Sequence, residues 1–160
     1  QGAKGLTTSC GFLVLLQREL QQALPVPVRT SSLLLIPNLL TKHQAVGVLT
    51  MDKSALGNAH FLAAGVTPQD IPRLIVQGVD RKGEFATAIM ENRTHMDFEA
   101  AQKNVVSAAL LLKQKAPDLK HVVLECTNLP PYAGAIEEAT GWQLHSLHQL
   151  LTTSSAEASK

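Results

Sequence analysis

The chain has 160 residues, 45% hydrophobic and 17% charged, which by length fits a single domain with a sizeable core. A formal net charge of +1 and an aromatic content of 4% exclude a strong field for nucleic acid or anionic membrane and a platform for stacked bases. No apolar run approaches the roughly 20 residues of a membrane span. The start, Gln1-Gly2-Ala3-Lys4, lacks the layout of a signal peptide. Two cysteines make no disulfide scaffold, so the expected compartment is the reducing cytoplasm, with both thiols free. The chain opens without Met on a strand-like segment, and a missing amino-terminal segment is the expectation.

Strands and helices alternate, which reads as α/β with a mostly parallel sheet. Ala3 to Thr8 is the first strand. Gly11 to Leu24 reads as a helix, with Leu13, Leu16, Leu20 and Leu24 at helical spacing, ended by Pro25 and Pro27. Val26 to Thr30 is a short strand. Ser31 or Ser32 caps a helix to about Thr41, kinked at Pro37. Ala45 to Thr50 is a continuous apolar run that suits a strand buried on both faces. Lys53 to Ala64 reads as a helix stopped by Gly65, Leu74 to Val79 as a strand, and Gly83 to Asn92 as a short helix. Asp97 caps a long helix with Phe98, Ala101, Val105, Ala108 and Leu112 on one face. His121 to Glu125 is a strand that delivers Cys126. Pro130 and Pro131 open a helix that stops at Gly141. Gln143 to Leu147 reads as a last strand, His148 to Thr153 as a last helix, and Ser154 to Lys160 as a frayed tail.

Cys10 and Cys126 each fall where a strand ends and a helix begins. Ligands of open α/β sheets bind outside the carboxyl ends of the strands. A thiolate at a helix amino terminus is stabilised, so its pKa should fall below the ~8.5 of free cysteine. Two such groups on opposite sides of a carbon could remove a proton from one face and return one to the other. The hydroxyls of Thr8, Ser9 and Thr127, the amide of Asn128 and nearby backbone N–H groups could hold a carboxylate. Free cysteines that merely pack are the competing reading.

The words around both cysteines carry a resemblance. Leu6-Thr7-Thr8-Ser9-Cys10-Gly11-Phe12-Leu13 and Leu124-Glu125-Cys126-Thr127-Asn128-Leu129-Pro130-Pro131-Tyr132-Ala133 resemble the two cysteine motifs of an uncharacterised branch of the aspartate/glutamate racemase superfamily. Residues 28–35, 45–50 and 91–97 resemble that branch as well. The resemblance implies two similar parallel-sheet α/β lobes, one cysteine from each, with the site in the cleft between them. Residues 1–44 and 142–160 would form a first lobe lacking its opening strands, and residues 45–141 the second. It implies a cofactor-independent racemase or epimerase of a small carboxylate, with Cys10 and Cys126 as the two acid/base residues. Thr8, Ser9, Gly11, Thr50, Thr127 and Asn128 would bind the substrate. Family members are often dimers, so a homodimer is compatible with the resemblance.

The motifs also depart from the well-studied racemases. Those follow the first cysteine with Asn-Thr, where this chain has Gly11 and Phe12. They follow the second with Thr-His or Thr-Glu, where this chain has Thr127 and Asn128. The cysteine pair transfers; aspartate or glutamate as substrate does not, and Phe12 points to a less polar pocket. Relatives on this fold include maleate isomerases, hydantoin racemases and arylmalonate decarboxylases, which use one or both cysteines differently. A carboxylate-binding protein without turnover is the non-enzymatic alternative. Glu125 is expected near the strand end, either modulating the Cys126 thiol or serving as a cap or ion-pair partner. Thr50 either faces the cleft or caps the next helix. The six histidines show no HExxH and no paired Cys/His spacing, so no metal is expected. Without GxGxxG or a Walker loop, no nucleotide cofactor is expected either.

Overall fold

The computed structural model describes residues 2–151. Its centre is a four-stranded, wholly parallel sheet of β3 (Val46–Thr50), β4 (Leu74–Gly78), β5 (His121–Leu124) and β6 (Gln143–His145), in the order β4-β3-β5-β6. A smaller parallel pair, β1 (Leu6–Thr7) and β2 (Val28–Arg29), stands apart. The helices are α1 (Gln17–Ala23), α2 (Ile36–Leu40), α3 (Asn58–Ala63), α4 (Glu84–Met90), α5 (Phe98–Lys115) and α6 (Ala133–Thr140). Residues 147–151 are helical as well. The expected frayed tail lies outside the described residues.

The period-two alternation of strand side chains divides the core. Val46 and Val48 of β3 and Val123 of β5 face one side, where they pack with Val14, Leu33, Ile36 and Leu40 from the first 44 residues and Phe61 of α3. Leu49, Val122 and Leu124 face the other side and meet Phe85 of α4, Val105 and Leu112 of α5, and Ile136 of α6. The amino-terminal segment is therefore one of the two layers that cover the larger sheet. Gly47 permits this closeness on the α5 side: a β-carbon there would stand 2.6 Å from Leu119 and 2.9 Å from Val122. Arg73 ties the layers at one end, its guanidinium donating to the carbonyls of Leu40, His43 and Gln44 at 2.6–2.9 Å.

Several elements differ from the sequence expectation. The stretch expected as one helix from Gly11 winds as a 3-10 turn over Gly11–Leu16 and becomes α-helical only in α1. The tighter winding turns Val14, not Leu13 or Leu16, into the core. The helix expected from Lys53 begins at Asn58, because Asp52 accepts from the Ser54 backbone and hydroxyl and forms a turn that competes with the helix. Phe98, expected on the buried face of α5, is 69% exposed. An 18-residue helix is longer than the strands it covers, so its first turn overhangs the sheet. Pro37 sits in the first turn of α2, where its missing N–H is harmless. Chain after Gly141, expected with residues 1–44, supplies β6 to the larger sheet by pairing with β5; residues 152–160 lie outside the described part.

The expected helix ends hold. Asp97 caps α5 by accepting from the backbones of Glu99 and Ala100, both at 3.0 Å, and Gly141 ends α6 at φ +70°. No helix among the described residues is long and apolar enough to cross a membrane.

At the amino-terminal edge of the larger sheet three histidines stack. The rings of His43 and His121 lie 3.6 Å apart, and His121 Nδ1 is 3.1 Å from His145 Nε2. One of the two facing nitrogens must carry the proton and the other accept it, so the contact cannot hold with both rings protonated. Burial, then the neighbouring rings, lowers the pKa of His121; burial likewise lowers that of His145, against a hydrogen bond to Gln149 that opposes it. The unfolded chain therefore binds more protons once pH falls below the ordinary histidine value near 6.5. Melting temperature should fall as pH drops below about 6.5, and His121→Gln should flatten that dependence. Equal pH dependence in the two proteins would contradict it.

Candidate active site

The site forms where residues 9–12 meet the carboxyl end of β5. Thr8 fixes the approach: its hydroxyl donates to the carbonyls of Thr30 at 2.6 Å and Cys10 at 3.0 Å. Thr127 reaches across from the other segment and donates to the Ser9 carbonyl at 2.5 Å. Ser32, buried, donates to the Leu124 carbonyl at 2.7 Å. Between these ties Gly11 lies directly on Glu125. A β-carbon at position 11 would overlap the Glu125 side chain and press on its carbonyl oxygen. Only glycine allows this approach.

The resulting cavity, of about 170 Å³, is lined by Ser9, Cys10, Gly11, Phe12, Met51, Ile89, Glu125, Cys126, Thr127 and Asn128. Both cysteines thus share one pocket, Cys10 exposed and Cys126 half-buried, and both are free thiols. Of the residues expected to bind substrate, Ser9, Gly11, Thr127 and Asn128 come together here. Thr8 does not join the lining; its hydroxyl is given to the carbonyls of Thr30 and Cys10. Thr50 does not either: it is fully buried and donates to Glu125 Oε2 at 2.7 Å. The strand register accounts for this. Val48 pairs with Val123 and Leu49 with Leu124, so Thr50 and Glu125 are the next pair on the same face. Met51 and Ile89 were not expected. Met51 could have been found as the residue just beyond a parallel strand; nothing in the sequence marks Ile89.

The electrostatics of Cys126 reverse the expectation. Burial pushes its thiol above the ordinary cysteine value, Glu125 and Cys10 push the same way, and hydrogen bonds from Asn128 oppose them. No α-helix begins at Cys126 to supply a dipole. A turn follows it, then a 3-10 segment that opens on Pro130 and Pro131, which carry no N–H, and α6 begins only at Ala133. Burial also raises the Glu125 carboxyl above the ordinary glutamate value, with the Thr50 hydroxyl opposing in part. Among the described residues no group of three or more His, Cys, Asp or Glu side chains could hold a metal ion.

These features sit on a known architecture. The fold is that of glutamate racemases. The isoform RacE1 from Bacillus anthracis aligns at a TM-score of 0.58 and 18% identity, over 96% of this chain and 59% of that one. The enzyme from Thermus thermophilus in complex with β-chloro-D-alanine aligns at 0.59 and 18%, over 99% of this chain and 58% of that one. Among curated proteins, a dimethylsulfoniopropionate lyase from Durusdinium sp. clade D is 30% identical over 150 residues, 88% of this chain and 48% of that protein. Dimethylsulfoniopropionate lyase 7 from Emiliania huxleyi (strain CCMP1516) is 29% identical over 150 residues, 88% of this chain and 43% of that protein. The chain spans less than half the length of these curated relatives. No family model matches it. Enzymes of two reaction types, racemase and lyase, therefore resemble this chain, the first in fold and the second in sequence.

The coupling of Cys126 to Glu125 is directly measurable. The rate of Cys126 alkylation by iodoacetamide, followed against pH in a Cys10→Ser background, should rise with a midpoint above that of free cysteine. Glu125→Gln should move the midpoint down, since at the alkaline pH where the thiol titrates the Glu125 carboxyl is ionised as well and repels the thiolate. A midpoint unmoved or raised would contradict the coupling.

Proposed function

We propose that this chain carries the proton-transfer site of an enzyme that breaks a C–H bond next to a carboxylate, and that the reaction is elimination from dimethylsulfoniopropionate or a close analogue. The observation that carries the reading is the pair of thiols lining one cavity. The sequence relatives favour lyase chemistry, and the fold is compatible with it because both reaction types start alike. In racemisation a base removes the proton next to the carboxylate and a second acid returns one to the opposite face. In elimination the base removes the same proton, its electron pair forms the C=C bond, and the C–S bond of the sulfonium breaks. Dimethyl sulfide leaves neutral, acrylate remains, and the proton passes from the thiol to solvent. One base suffices for that second course. Burial disfavours the thiolate of Cys126, while Cys10 is exposed, so in this reading Cys10 is the base and Cys126 a neutral thiol in the wall of the cavity. The chemistry needs reduced thiols, in keeping with a cytoplasmic setting.

A second reading, two-base racemisation of a small chiral acid, is favoured by the same cysteine pair and by the racemase fold. The two separate in one experiment. The protein, Cys10→Ser and Cys126→Ser are assayed for acrylate release from dimethylsulfoniopropionate and for deuterium uptake by enantiopure amino and hydroxy acids in heavy water. Elimination predicts acrylate release that falls by roughly 10²–10⁴-fold in Cys10→Ser, the usual contribution of a general base, and by less in Cys126→Ser. Absence of acrylate, together with deuterium entering either enantiomer of a chiral acid and lost in both variants, would overturn elimination in favour of racemisation.

A further inference from the structure

The cavity that holds the two thiols contains no lysine, arginine or histidine among its lining residues. A carboxylate entering it finds no cation to neutralise its charge. Hydrogen-bond donors must do that work, and they must strengthen as charge spreads onto the carboxylate when the neighbouring C–H bond breaks. Ser9, Thr127 and Asn128 offer donors, but the Thr127 hydroxyl is already given to Ser9.

Glu125 has the geometry for the task. It is 3% exposed. Its two oxygens are differently used: Oε2 accepts from Thr50, while Oε1 lies against Gly11, beside Cys10, without a hydrogen bond among the described residues. The oxygen left over lies against Gly11, and Glu125 lines the cavity together with Gly11, Cys10 and Cys126. Thr50 donates, so it holds the side chain in place and leaves a proton on the free oxygen to point elsewhere. We propose that Glu125 is a catalytic acid in its neutral form, donating a hydrogen bond from Oε1 to the substrate carboxylate and stabilising the enediolate that forms as the C–H bond breaks.

The electrostatic setting agrees. Burial favours the neutral form of Glu125, and no basic group faces it from any wall of the cavity; its titratable neighbours there are Cys10 and Cys126. An ionised Glu125 would repel both a bound carboxylate and a thiolate, so the neutral acid is the form compatible with carboxylate binding. The assignment rests on the reading that this cavity takes a carboxylate, whichever reaction follows.

The test uses propionate as the probe, titrated calorimetrically into the protein, Glu125→Gln and Glu125→Met, with acrylate release from dimethylsulfoniopropionate measured in parallel. Glutamine keeps the size, accepts from Thr50 and still donates, so its binding should stay within about threefold of the parent, whereas methionine, which cannot donate, should weaken binding roughly tenfold or more. Binding by the parent should weaken as rising pH ionises Glu125, and that loss should be absent in Glu125→Gln. The glutamine comparison decides the matter even if the methionine variant fails to fold. No binding of propionate by the parent, glutamine as damaging as methionine, methionine without effect, or the same pH dependence in parent and glutamine variant would each overturn the proposal. Propionate binding of the expected pattern without acrylate release would sink the lyase reading alone. Acrylate release abolished in Glu125→Gln would sink the role of Glu125 alone, since it would mean that an ionised carboxylate is required.

Discussion

The site depends on one close approach: the backbone at Gly11 resting on Glu125. It brings the segment bearing Cys10 onto the carboxyl end of β5, where Cys126 follows, and no side chain larger than hydrogen fits between them. The surrounding polar ties converge on the same junction. Thr127 holds Ser9, Ser32 holds the Leu124 carbonyl, and Thr8 holds both Thr30 and the carbonyl of Cys10. The apolar packing of Val14, Leu33 and Ile36 against β3 and β5 then fixes the layer that carries this loop.

That junction also sets the chemistry. Closing the amino-terminal layer over the strand ends removes water from Glu125 and Cys126 and raises the pKa of each. A half-buried thiol and a buried acid beside an exposed thiol give three groups able to exchange protons with no metal ligand set beside them among the described residues. In the proposed reading this combination breaks a bond to hydrogen next to a carboxylate, the step that racemisation and the dimethylsulfoniopropionate elimination share. The racemase fold and the lyase relatives are thus reconciled at the level of a single bond, before the two reactions diverge.

The parts of this architecture that local pattern governs were legible in the sequence. Val46–Thr50 is apolar up to its last residue and is buried throughout. Asp97 and Gly141 mark helix ends by side-chain chemistry and backbone conformation. Both cysteines fall at strand ends, where ligands bind. The parts that depend on register or winding were not legible. Over six apolar residues, windings of 3.0 and 3.6 residues per turn differ too little to tell that Val14 and not Leu13 is buried. Thr50 could face a cleft or a neighbour, and only the pairing of β3 with β5 aims it at Glu125. The expected lowering of the Cys126 pKa failed because burial outweighs the hydrogen bonds from Asn128, and because the motif's two prolines leave no helix N-terminus at the thiol to add to them.

The central claim is that the thiols of Cys10 and Cys126 confront the same small space. Phenylarsine oxide, whose single arsenic bridges two nearby thiols, tests it most directly when intact-mass measurement is applied to the protein and to each Cys→Ser variant. The account predicts one arsenic bound across both cysteines, protecting both from alkylation, with neither single variant retaining it. Alkylation of both thiols undiminished by the arsenical would contradict a shared cavity and with it the chemistry proposed for this chain.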